Sequence, residues 1–190
     1  MDKISDLELA GMLANGSTRV ATVASLAASG KSRVPLLISW TLNPPPQVDK
    51  SELYVGLADA FGQLKATEAI PFLISNISLN RYPYVSPNTW LKTPEVVQER
   101  LACARALIQI GPEASRALIS AFHDGLSAED RLAAIFVISR IKGVPEARGF
   151  LLSAFGQINQ ERHLVEEGLK LIANWKRPSA GHFEREGSKW

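Results

Sequence analysis

The chain has a single cysteine, Cys103, among 190 residues. It cannot form an intramolecular disulfide, and its place inside an apolar run reads as a small buried side chain rather than a reactive thiol. His123, His163 and His182 are the only histidines, spaced neither with one another nor with the cysteine as metal ligands are; no metal and no cofactor is expected. Net charge is small, at +2, which argues against the broad electrostatic footprint of a non-specific nucleic-acid binder. No apolar run approaches the ~18 residues of a membrane span. Met1-Asp2-Lys3-Ile4-Ser5-Asp6 puts acids where a secretory signal needs bases, so no membrane partner and a cytoplasmic location are expected. Ser29-Gly30-Lys31-Ser32 ends like a phosphate-binding loop but has Ser25 where that loop needs glycine. Asn15-Gly16-Ser17 and Asn76-Ile77-Ser78 match a glycosylation sequon that carries no weight without a secretory signal. Glu166 and Glu167 are adjacent on a helix and suit a solvated face better than a paired-carboxylate site.

What the chain does have is a repeat. Glu99-Arg100-Leu101-Ala102-Cys103-Ala104-Arg105-Ala106-Leu107-Ile108-Gln109-Ile110 superposes on Asp130-Arg131-Leu132-Ala133-Ala134-Ile135-Phe136-Val137-Ile138-Ser139-Arg140-Ile141, acid on acid and base on base. An earlier copy carries Arg19 onto Arg100 and Gly30 onto Gly111; another carries Val55, Ala58, Phe61 and Leu64 onto Leu101, Ala104, Leu107 and Ile110. Each set is spaced as one face of a helix. Leu164, Gly168, Leu171, Ile172 and Trp175 form a looser fifth stripe. Shorter apolar segments precede each stripe: 6–13, 34–38, 69–74, 114–119 and 145–152. We designate the shorter element A and the alanine-rich one B.

The punctuation agrees with these boundaries. Gly111-Pro112 stops one helix and starts the next, Thr93-Pro94-Glu95 places proline at a first helical position, and Ser127-Ala128-Glu129-Asp130 is a capping-box variant. No strand-like alternation competes. The expected fold is all-α, a right-handed α-solenoid of about five antiparallel helix pairs over residues 1–175, followed by a polar, flexible tail over 176–190. Leu101, Ala104, Leu107, Leu132, Ile135 and Ile138 are the expected core. A unit of this kind cannot bury its stripe alone, so it stacks on copies of itself and presents an extended surface.

Residues 60–74 and 106–119, with His123-Asp124 followed by Glu129-Asp130-Arg131-Leu132, resemble HEAT repeats, particularly the HEAT-like repeats of phycobilisome lyases. In that family an Asp ending helix A and an Arg opening helix B recur. Asp124 and Arg131 match them, Arg100 and Arg19 occupy the same Arg slot, and Tyr54 departs from it. The resemblance implies that the pair ties neighbouring repeats together. It also implies that B helices line a concave side, where one row would be Ala24, Asp59, Arg105 and Phe136 and a second Ala28, Gln63, Gln109 and Arg140. A uniform basic ladder would favour a phosphate backbone; these rows mix small, acidic, basic and aromatic residues, as a protein or peptide surface does.

Two A–B turns are swollen, at 43–50 and 79–92. Turns of one type emerge on one edge of a solenoid, and long loops in a compact array are usually functional or disordered. The second loop carries Arg81, Tyr82, Tyr84 and Trp90, with aromatic types enriched at interaction hot spots. The expected function is a non-enzymatic protein-protein interaction scaffold or adaptor, a possible subunit of a larger complex. It would bind a protein or peptide through the loop edge (Arg81, Tyr82, Tyr84, Trp90) and the concave face (Asp59, Gln63, Arg105, Gln109, Phe136, Arg140). The alternative is an enzyme on the same scaffold, a chromophore lyase or an alkylpurine DNA glycosylase. Trp175 with Asp59 imitates the glycosylase arrangement only crudely.

Overall fold

The structure is a computed structural model and describes residues 4–81, 94–123, 126–155 and 159–173. The described residues are predominantly helical and contain no strand, only an isolated bridge between Asn80 and Leu101. The helices are α1 (Asp6–Ala14), α2 (Gly16–Ser29), α3 (Val34–Leu42), α4 (Lys50–Leu64), α5 (Ile70–Ser75), α6 (Pro94–Arg100), α7 (Ala102–Ile110), α8 (Pro112–His123), α9 (Ala128–Lys142), α10 (Val144–Phe155) and α11 (Asn159–Ala173). The expected A segments fall on α1, α3, α5, α8 and α10, and the B segments on α2, α4, α7, α9 and α11. None of these helices is long and apolar enough to cross a membrane.

Local chemistry sets the helix ends. The Asn15 side chain accepts from the Ser17 amide at 3.0 Å and the Asp49 carboxylate from the Glu52 amide at 2.9 Å, starting α2 and α4. At α9 the Ser127 hydroxyl accepts from the Asp130 amide at 3.1 Å and donates to the Asp130 carboxylate at 2.7 Å. The capping box therefore closes through side chains, with Asp in the place that Glu or Gln usually takes. Gly111 caps α7, and α8 begins at Pro112.

The B-type helices pack in chain order, α2 on α4, α4 on α7, α7 on α9 and α9 on α11, while α1 also lies against α4 and α5 against α7 and α8. Two seams are unusually close. A Cβ at Gly56 would run into the Leu13 carbonyl group, its carbon only 2.8 Å away, and one at Gly62 would lie 2.9 Å from the Ala106 Cα. Glycine in α4 thus lets α1 and α7 approach backbone to backbone. The repeated stripes form the core: Leu101, Ala104, Leu107, Ile135 and Ile138 are buried, as expected. Leu132 departs from that expectation and is half-buried, with its Cδ2 near Gly168 of α11.

The third B helix is not continuous as its sequence implied. Leu101 adopts an extended backbone (φ −89°, ψ 93°) between α6 and α7. The chain leaving α5 engages the backbone groups on either side of it: the Arg81 amide donates to the Arg100 carbonyl at 2.9 Å and the Ala102 amide donates to the Leu79 carbonyl at 3.3 Å, while the Leu101 amide and carbonyl keep helical bonds with Val97 and Arg105. Competition from this incoming strand-like segment splits the helix while leaving the Leu101 side chain in the core.

The Arg slot shows its physical use at Arg19. This buried side chain donates from Nε to the Leu13 carbonyl at 2.8 Å and from Nη2 to the Ala14 carbonyl at 3.1 Å, and it pairs with the Glu52 carboxylate at 2.6 Å. It satisfies the orphan carbonyls ending α1 and reaches the first turn of α4. Tyr54 stands in the same register and cannot make the arginine's tie. Instead its hydroxyl donates to the Thr41 carbonyl in the last turn of α3 at 2.9 Å, and its ring meets Phe72 edge-on at 4.9 Å. One neutral bond and an aromatic contact replace the guanidinium. Asp124 lies outside the described residues.

Candidate functional site

The α2, α4 and α7 helices each turn one face toward a common depression of about 210 Å³, lined by Val20, Val23, Ala24, Asp59, Gln63 and Arg105. The row expected from sequence, Ala24–Asp59–Arg105, comes together here with Gln63 of the second row. Val20 and Val23 were missed. Val20 is 79% exposed, and the signal for it was available, since it lies one helical turn before Ala24 on the same face.

Arg81, at the start of the long insertion, reaches the same place: its Nη2 pairs with the Asp59 carboxylate. Both side chains are largely withdrawn from water, 13% and 12% exposed, and Arg81 Nε is buried without a hydrogen-bond partner among the described residues. Residues assigned from sequence to two separate surfaces therefore meet at one ion pair. The Asp59 charge is answered by Arg81, whereas Arg105, half-buried on the groove wall, makes no ion pair among the described residues. Among the described residues, the mouth of the groove therefore carries the Arg105 guanidinium without an acidic partner, beside an aliphatic shelf.

Beneath lies Cys103, fully buried in α7. Burial pushes its thiol pKa up, the Asp59 carboxylate adds to the rise, and Arg81 opposes it. A thiol held protonated is a poor nucleophile, and Cys103 serves here as core.

Three expected concave residues are placed elsewhere. Phe136 is a correction: it is 2% exposed and belongs to the core, because α9 is buried all round over Ala133–Ser139 and leaves no free face at that register. Gln109 is half-buried with its side-chain oxygen packed over Gly62. Arg140 is exposed near the end of α9 and does not line the depression. Tyr82, Tyr84, Trp90 and Trp175 lie outside the described residues, as does the tail from 176. Among the described residues no three His, Cys, Asp or Glu side chains gather in a metal-binding cluster.

Comparison with protein families, with curated proteins and with solved structures returns no match.

Proposed function

We propose that the chain is a HEAT-like α-solenoid acting as a non-enzymatic interaction module, which binds a protein or peptide segment along the Val20–Asp59–Arg105 groove and the adjoining insertion. The repeat in the sequence and the stacking of B-type helices in chain order support the solenoid reading. The observation that carries the functional reading is the convergence of Arg81 from the insertion with Asp59, Gln63 and Arg105 from the helices on one depression beside exposed Val20. An aliphatic shelf next to a guanidinium that has no acidic partner among the described residues suits a polypeptide that offers an apolar side chain and a carboxylate or carbonyl. Asp59 is the carboxylate that a glycosylase reading would draw on. Its engagement by Arg81 supports recognition over base chemistry.

A photo-crosslinking amino acid at the exposed position 63 tests this in the native cell, with exposed Glu113 on α8 as the control site. A discrete protein adduct is expected from position 63 and not from 113, and Arg105→Glu is expected to reduce it by at least about 10-fold, equivalent to ~1.4 kcal/mol. Circular dichroism should stay native. Equal labelling from both sites, or an adduct indifferent to Arg105→Glu, would overturn the reading. Replacing Tyr82, Tyr84 and Trp90 together by Ala tests the insertion in the same assay.

A further inference from the structure

Among the described residues, the first helix pair packs against a further α-helix on one flank. The α4 helix packs against both α1 and α2, and no helix of the described residues lies in the opposite groove between α1 and α2. That groove holds about 330 Å³ and is lined by Ile4, Leu9, Met12, Ala21, Leu26 and Arg33, with Thr22 and small serines between them. Ile4 is 46% exposed at its edge. The Thr22 hydroxyl is engaged with the Thr18 carbonyl at 2.9 Å, so the floor presents little unmet polarity. This is a different face of α2 from the one turned toward Val20 and Ala24.

Charge at the rim decides what fits. One side carries the acidic first turn of α1, Asp6 and Glu8. The other carries Arg33 on the turn that follows α2, whereas Lys31 of the same turn donates to the Lys65 carbonyl on the α4 side. Arg33 and Asp6 pair across the groove at 3.3 Å while remaining 44% and 60% exposed, so each keeps capacity for a further partner. An apolar floor with an acidic lip and a basic lip is complementary to itself under a two-fold rotation: the acidic lip of one copy meets the basic lip of the other, twice. We infer that this groove is an isologous interface, and that its occupant is the α1–α2 groove of a second copy of the chain.

Sedimentation velocity on the full chain tests this. The wild type is expected to dimerise at micromolar concentration. Ala21→Arg, a helix-compatible change at an exposed position in the groove, is expected to leave a monomer with unchanged circular dichroism. Asp6→Arg and Arg33→Glu alter only exposed side chains and keep the test decisive even if Ala21→Arg misfolds. Each alone sets like charges together at both contacts and is expected to weaken the dimer by at least about 10-fold, whereas an equimolar mixture of the two restores opposite charges at both contacts and should recover wild-type association as a heterodimer. A monomeric wild type overturns the inference. So does a dimer that survives the single charge variants, or one that the mixture fails to restore, since it would be built from another face or partnered by other means.

Discussion

Gly56 and Gly168 hold similar positions, each inside a B-type helix and each turned toward a neighbouring helix, yet they do opposite work. At Gly56 the space a Cβ would need is taken by the backbone carbonyl of Leu13, which has nowhere to go. At Gly168 the nearest atoms are Ile135 Cδ1 at 2.9 Å and Cγ2 at 3.4 Å, the former the far end of a side chain that can change rotamer. The α1–α4–α7 seam is built on backbone contact and the α9–α11 seam on side-chain contact. A residue type alone does not report which kind of seam it serves.

The largest expected effect that would break this comparison is Gly56→Ala. Separating α1 from α4 also strains the Arg19 network that spans them, and a loss of about 3 kcal/mol is expected. Chemical denaturation reads it, and a loss below 1 kcal/mol would show that the seam yields. Cys103 sharpens the comparison from within the same region. Its thiol stays protonated in the folded chain but ionises above its ordinary value of 9.0 once unfolded. The unfolded state then binds fewer protons than the folded one, so stability falls as pH rises past 9, by about 1.4 kcal/mol per pH unit from this group. Comparing the pH slopes of wild type and Cys103→Ala isolates that contribution, and equal slopes would mean that water reaches the seam. The smallest effect is Gly168→Ala, where relief of glycine's backbone entropy competes with a small shift of Ile135; the melting temperature is expected to hold or to rise by the equivalent of up to ~1 kcal/mol. A marked loss there would erase the distinction between the two seams.

Much of the helical framework was legible in the residues because helical periodicity and caps are local signals. The stripes through Leu107 and Ile138, the Gly111-Pro112 boundary and the box at Ser127 each depend on neighbours within a few positions. The candidate site was legible in part. Ala24, Asp59 and Arg105 could be aligned by register, since copies of a repeat present equivalent positions to a common side. Phe136 broke that rule because α9 has neighbours all around it, and burial depends on how many helices surround a position, which periodicity does not count.

By itself the sequence determined where helices start, which faces are apolar, and that the units resemble one another, all consequences of backbone geometry and side-chain type over short spans. The tertiary structure alone decided that the returning chain at Leu79–Arg81 would split a helix at Leu101, that Tyr54 would take up an arginine's tie, and that Arg81 would close on Asp59. Those outcomes turn on competition for hydrogen bonds and on charges brought together from distant parts of the chain. Their partners are set by packing, and no local pattern encodes them.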